Sequence, residues 1–285
     1  MQKSQSDQPG TIIHCDQALA RRLERAEGRS NAEFVDARAK VFPEIGCEWI
    51  EVGGTYAMFD GIHSPCTQTF GLGLFDRVTA AGLTRLEQFF QRRGADVFHE
   101  VSSLAEPSLL GTLNERGYDP VELSSVLFRP IVSGQSGLSR DDGIQVRHVG
   151  SEENDRWVRV NAEGWADAAP GLEDFFLGLG RVNSQRASTH CFLAEKQGEP
   201  VAAGAISLFD QVALLAGAST IPKWRRQGAQ LALLAERLQF AAERGCDIAM
   251  IVTQPGSASQ HNAERRGFRI GYTRTKWRSR FATRE

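Results

Sequence analysis

No stretch of the 285-residue chain approaches the roughly 18 uninterrupted apolar residues that a membrane-spanning helix needs. The opening MQKSQSDQPG lacks the apolar segment of a secretory signal. Paired cysteines are missing as well. Cys15, Cys47, Cys66, Cys191 and Cys246 are odd in number, scattered and never spaced Cys-x-x-Cys, which argues against a disulfide framework and a cysteine-based zinc site. They read as reduced thiols, and a cytoplasmic protein with no membrane partner is expected. Excess charge of one sign is absent too: 33 Lys and Arg against 35 Asp and Glu leave a net charge of −2, so no nucleic acid partner is expected. Neither His-x-x-x-His nor Gly-x-Ser-x-Gly nor Gly-x-x-x-x-Gly-Lys occurs. These gaps argue against a bound metal, a hydrolase nucleophile elbow and a Walker-type phosphate loop.

What is present is ordinary globular material, 41% apolar and 24% charged. The length suggests about two domains. VSGQSGLSRDDG, residues 132–143, clusters glycine, serine and aspartate without apolar periodicity and reads as a linker. It divides the chain into residues 1–131 and 144–285, each long enough to bury a core. In the second part, IQVRHV alternates as a strand does, and SEENDRWVRVNAEGW opens with the acidic bias of a helix start. LEDFFLGLGR suggests a shorter helix, and three strand-like runs follow as an antiparallel meander broken at KQGEP and FDQ.

From Gly228 the period becomes helical. Leu231, Leu234, Ala235, Leu238 and Ala242 share one face, with Gln230, Arg237, Gln239 and Glu243 pointing elsewhere. Gly245 ends that helix, DIAMIV is apolar enough for a central strand, SASQHNAERRGF reads as a polar helix capped by Ser257 or Ser259, and FRIGYTRTKWRSRF as a final strand. The predicted order is β, α, α, β, β, β, α, β, α, β, an α/β (α+β) fold on a mixed sheet.

The chain also resembles itself. With a one-residue gap, Arg93, Gly94, Asp96, Val101, Arg116 and Gly117 fall opposite Arg244, Gly245, Asp247, Val252, Arg266 and Gly267, and Tyr118 opposite Phe268. Both copies read helix, glycine stop, strand, helix, glycine-aromatic, strand, which points to duplication.

In TIPKWRRQGAQLALLAERL, residues 220–238, a strand gives way at once to a helix whose first N–H groups lack intrahelical partners. Gly228, without a Cβ, lets an anion approach the main chain, and Arg225 and Arg226 add positive potential. A solvated turn is the alternative. The order of elements and this loop together resemble the GCN5-related N-acetyltransferase superfamily. There, an Arg/Gln-x-x-Gly-x-Gly/Ala loop at a helix start holds the pyrophosphate of acyl-coenzyme A. Arg225 and Gly228 match; Gln230 stands where a small residue is usual. Pro222 and the Gly267–Phe268 pair fit the same family, and the resemblance spans about residues 144–277.

The resemblance implies two tandem acyl-CoA N-acyltransferase-like domains, the C-terminal one transferring an acetyl group from acetyl-CoA directly to a small-molecule or peptide amine. It implies cofactor contacts from Arg225, Arg226, Gln227, Gly228, Ala229, Gln230 and Ser259, and from the strand residues Leu215, Ala216, Gly217 and Ala218, which otherwise are close-packed core. The family's usual tyrosine acid is replaced by Ala263, leaving His261 or Tyr272 as candidate proton donors and Glu163, with Asp167 beside Trp165, as a candidate base. Solvated or core roles are the alternatives for each. The N-terminal copy has Asp76 at the equivalent loop, where an acid repels phosphate; it is expected to be degenerate, a scaffold or one wall of a substrate cleft. A non-catalytic acyl-CoA sensor and a tRNA-dependent aminoacyl transferase are the alternative functions.

Overall fold

The computed structural model describes residues 14–131, 143–167, 173–183 and 185–280. The first half runs α1 (Gln17–Val41), β1 (Glu48–Val52), β2 (Thr55–Phe59), β3 (Gln68–Phe70), α2 (Ala80–Gln91), β4 (Phe98–Ser102), α3 (Ser108–Glu115) and β5 (Tyr118–Pro130). The second runs β6 (Ile144–Val149), α4 (Asn154–Trp165), α5 (Glu173–Asn183), β7 (Thr189–Lys196), β8 (Glu199–Phe209), β9 (Val212–Thr220), α6 (Ala229–Glu243), β10 (Ile248–Thr253), α7 (Ala258–Glu264) and β11 (Arg269–Ser279). The expected element order of the second half is reproduced. Residues 1–13 and most of the expected linker, 132–142, lie outside the described part. All five cysteines are free, and among the described residues no helix is long and apolar enough to cross a membrane.

The strands form one eleven-stranded sheet in the order β1-β2-β3-β4-β11-β5-β10-β9-β8-β7-β6. Its logic is an exchange. The last strand of the first half, β5, pairs with β10 of the second, while the last strand of the second half, β11, pairs with β4 of the first. The two exchanged strands pair with each other along their length. Among the described residues, only β3 with β4 and β9 with β10 are parallel. These are corresponding positions in the two halves, and the glycines aligned by the repeat share backbone geometry: Gly94 and Gly245 at φ 67° and 75°, Gly117 and Gly267 at φ 78° and 81°. Only glycine adopts such left-handed stops without strain. We keep the division at residues 131 and 144 as a proposal about duplicated units; the sheet runs through both without a break.

Helices α1, α4 and α5 cover one face, and α2, α3, α6 and α7 the other. DIAMIV is apolar because β10 is covered twice: Ile248 and Met250 meet α1, and Ala249 meets α6. The meander turns tightly at Gln197–Gly198 and at Asp210–Gln211, with positive φ at both central residues of each turn, matching the twist of the hairpins. In the first half the strand-like run TQTFGLGLF stops at Phe70, because Gly71 and Gly73 take φ of 76° and 72° and leave the sheet. The amphipathic face of α6 is also rotated from expectation. Leu233, Phe240 and Ala241 are buried, and so is Arg237, whose guanidinium donates to the carbonyls of Leu233 and Ala205.

Sequence periodicity did not pick out α1, a charged helix of 25 residues, yet it crosses the middle of the sheet and contacts both halves. Its Asp16 side chain caps the Leu19 N–H, and its small residues permit close approach; a Cβ on Gly28 would meet the Tyr56 ring at 2.7 Å. Glu24 of α1 is fully buried, accepting from Tyr272 Oη at 2.8 Å and Arg274 Nε at 2.6 Å, and Arg274 also pairs with Glu27. Removing one member of such a group strands a buried charge, typically at a cost of about 3–5 kcal/mol.

The first half holds a second buried polar chain. His99 Nδ1 lies 2.9 Å from Thr69 Oγ1, its Nε2 lies 3.2 Å from Tyr118 Oη, and Tyr118 donates to Glu87. Burial lowers His99 well below the ordinary histidine range, to about 3. Below pH 6.5 the unfolded chain therefore binds a proton that the folded chain refuses, and stability falls as pH drops from about 6.5 towards 3. Urea unfolding at pH 6.5 and pH 5 is expected to show a loss of about 1–2 kcal/mol that the His99→Gln variant lacks; equal pH slopes would show that His99 is not the group responsible.

Candidate active site

The site begins where two strands part. β9 pairs with β8 as far as Thr220, and β10 pairs with β5 as far as Thr253. Between β9 and β10, pairing stops at Leu214 and Met250. Beyond that point one edge of each strand faces no other strand, so its peptide groups are open to a ligand. Here Ala216 and Gly217 are exposed in a strand that is buried up to Leu215 and again from Ser219. The parting is built in rather than frayed. A register shift between Ala203 and Ala205 bulges the hairpin, and Gly217 takes φ 60° opposite it.

Two buried side chains clamp this bulge from opposite faces. From α4, Asn161 Nδ2 donates to the Gly217 carbonyl at 2.6 Å, while Ser219 Oγ returns a bond to the Asn161 carbonyl. A Cβ on Gly164 would sit 2.3 Å from Ser219 Oγ, so α4 reaches β9 only because that residue is glycine. From α6, Arg237 Nη1 holds the Ala205 carbonyl at 2.9 Å and approaches that of Ala216 at 3.5 Å. Burial lowers its guanidinium to about 10, and no carboxylate pairs with it among the described residues. It is a fixed positive charge beneath the opening, where weak screening magnifies its potential. Sequence reasoning placed Arg237 off the core face and did not single out Asn161. Leu233, Leu234, Leu238, Phe240 and Ala241 around Arg237 were the available signal.

At the end of β9 the chain makes a short turn at Pro222–Trp224 and enters α6 through Arg225–Gly228. Gly228 has φ 93°, which strains any other L residue, and Arg226 holds φ 64° despite its side chain. The N–H groups of residues 226–230 donate to no described group, so five donors converge at the positive end of a fifteen-residue helix. The nearby cations are not all those expected. The Arg225 side chain turns away, forming a bidentate pair with Asp167 at 2.6 Å and donating to the carbonyls of Gly164 and Thr220. Its place is therefore structural, pinning the loop to α4, and Asp167 is held below the usual carboxylate range by it. Arg226 is exposed, Lys196 Nζ donates to Gln227 Oε1 at 2.8 Å, and Lys196 and Lys223 both stand 5.9 Å from the Trp224 ring. Gln230, too large for the family pattern, is folded back onto Thr220 Oγ1 at 2.8 Å, and Ala229 packs in the core.

The candidate proton-transfer groups are dispersed. Tyr272 does not reach the opening: it is buried against α1 with its hydroxyl on Glu24, and burial together with that carboxylate raises its phenol well above 10. Glu163 is exposed on α4, the helix whose Asn161 and Gly164 face β9. His261 and Ser259 are exposed on α7 without side-chain hydrogen bonds to described groups; Ser257 is the residue that caps this helix. Ala263, at the position of the usual tyrosine, is buried in the core with Phe268. In the first half the corresponding helix start at α2 has a side-chain cap, Thr79 Oγ1 accepting from Gly82 N–H.

Residues 153–268 match the model of the Acetyltransferase (GNAT) family, so that segment of the chain is similar to it. Among solved structures, it is similar to a GCN5-related N-acetyltransferase from Kribbella flavida (20% identity, 87% of this chain and 95% of the other, TM-score 0.63). It is also similar to one from Sphaerobacter thermophilus (17%, 74% and 71%, TM-score 0.57). A tandem GNAT protein from the clavulanic acid biosynthesis pathway aligns over 80% of this chain and 78% of its own (9% identity, TM-score 0.58). At these identities the likeness establishes the fold. No curated protein matches the chain.

Replacing Arg237 with methionine is expected to lower the urea midpoint by the equivalent of about 1–3 kcal/mol without changing the denaturant slope, because two buried carbonyls lose their donor. An unchanged midpoint would show that the bulge holds itself.

Proposed function

We propose that the chain is an N-acyltransferase using acetyl-CoA and an amine acceptor, with the thioester lying in the opening between β9 and β10. The observation that carries this reading is the five free N–H groups of residues 226–230, at the helix start that terminates the open strand. An acyl-CoA has the matching shape: a diphosphate for the helix start and an extended amide-bearing arm for a strand edge. Leu215–Ala218 supply that edge, and the small exposed pair Ala216 and Gly217 leaves room for the arm. When bound, acyl-CoA supplies an activated thioester, whose C–S bond breaks as the amine lone pair forms the C–N bond, the thiolate leaving and the nitrogen shedding a proton.

The chain's own residues then have separable tasks. Residues 226–230 with Lys196, Lys223 and Arg226 hold the diphosphate. Asn161 and Arg237 fix the β9 backbone on either side, keeping its unpaired N–H groups aimed into the opening, and the charge of Arg237 favours negative charge developing on the acyl oxygen. Glu163 and His261 remain our candidates for proton transfer through water, since neither is spent on another group. Because Ala263 offers no proton donor, a non-catalytic acyl-CoA module is the second reading; turnover of acetyl-CoA with amines separates the two.

Calorimetric titration with acetyl-CoA is expected to show one site, lost in Gly228→Asp and weakened about tenfold by Lys196→Glu combined with Lys223→Glu, with the weakening reduced at high salt. The lysine variant leaves the backbone untouched, so its near-ultraviolet circular dichroism should match the wild type. Unchanged affinity in both variants would overturn the diphosphate assignment.

A further inference from the structure

On the face covered by α1, a cavity of about 310 Å³ lies between the two halves. Its lining comes from Glu27 and Asn31 of α1, Gln68 of β3, Glu100 of β4, Glu122 and Ser124 of β5, and Arg274 of β11, and it ends at Val252 and Thr253 of β10 and the following Gln254. Val252 and Thr253 belong to the part of β10 that has already parted from β9. The cavity therefore abuts the rim of the proposed thioester opening.

Strand register explains its chemistry. Paired residues on antiparallel strands point to the same face, so Ser124, Arg274 and Ser102 form one cross-strand row and Glu122, Lys276 and Glu100 the next. Arg274 is consumed by Glu24 and Glu27, and Lys276 stands 3.6 Å from Glu100 and 3.0 Å from Glu122. Four carboxylates thus face two cations. The shortfall is accompanied by missing partners: Glu100 Oε2 and Ser124 Oγ, both on residues at least nine-tenths buried, have no hydrogen bond to a described group, and neither has Thr253 Oγ1. Leaving such atoms unpaired carries a desolvation penalty that a donor-rich ligand removes. An ionised carboxylate accepts only, so a cation that binds Glu100 meets it through an N–H or O–H donor.

We infer that this cavity is the acceptor site and selects a small amine carrying a second cationic group. The inference rests on the acyltransferase reading for the fate of the amine, but not for its binding. Glu100 and Glu122 hold the distal cation, Ser124 and Asn31 the bridging polar atoms, and the reactive amine extends past Val252 towards the opening. The N-terminal half thereby supplies the acceptor specificity of a reaction whose donor is held by the C-terminal half. The volume sits at the small end of ligand cavities, suiting a metabolite or one end of a longer polyamine.

The test is calorimetric binding of butane-1,4-diamine, 4-aminobutan-1-ol and 4-aminobutanoate to the full chain, together with acetyl-CoA binding and amine-dependent release of CoA. The diamine is expected to bind at least tenfold more tightly than the alcohol, and the amino acid most weakly. Glu100→Gln, nearly isosteric, and Glu122→Gln, at a more exposed site, should each reduce diamine affinity about tenfold while acetyl-CoA affinity stays unchanged. Equal affinities across the three amines, no binding of any, or variants that bind the diamine as well as the wild type would overturn the proposal. Diamine binding without acetyl-CoA binding would instead leave the cation site standing and sink the acyltransferase reading.

Discussion

The exchange of β5 and β11 across the middle of the sheet is the constraint on which the rest of the molecule depends. Each half is completed by the other's last strand, so neither closes its sheet alone. The join also sets where polar groups meet. Arg274, on an exchanged strand, is buried against Glu24 and Glu27 of α1, so one ionic group links the ends of the chain. A buried group of this kind adds little net stability against an apolar substitute, yet it tolerates only one register, because a slip would strand charges.

The same join gives the candidate site opposite electrostatic ends. At the start of α6, Lys196, Lys223, Arg226 and uncapped N–H groups gather positive potential. Across the parted strands, Glu100, Glu122 and Glu27 gather negative potential around a cavity. An anionic donor and a cationic acceptor would be drawn to different ends and meet at the opening between β9 and β10. Between these ends lies Arg237, a buried cation fixed by carbonyls alone. Its cost in desolvation is understandable if it clamps the bulge and adds potential at the reacting carbonyl.

From β1 to β5 the first half runs through the same order of strands and helices as the second does from β7 to β11, but its helix start differs. Thr79 caps α2, its Oγ1 accepting from the Gly82 N–H, whereas no side chain caps α6. What this half contributes instead is α1 and the floor of the acidic cavity.

Much of this was legible in the chain itself. The meander, the glycine stops, the apolar central strand and the loop at Gly228 follow from local rules: period, turn chemistry and the conformational freedom of glycine. Internal repetition showed that the same elements occur twice. Long-range geometry was not legible. That Arg225 would be taken by Asp167, that Tyr272 would be spent on Glu24, that Arg237 would turn inward, and that Asn161 would reach Gly217 depend on residues tens to hundreds of positions apart. The sequence by itself determined the elements of the second half, their order and the glycine turn into α6, because each depends on neighbours within a turn or two. Only the tertiary structure decided the strand exchange, the burial of α1 and the acidic cavity, because pairing and burial couple segments whose separation along the chain carries no local signal.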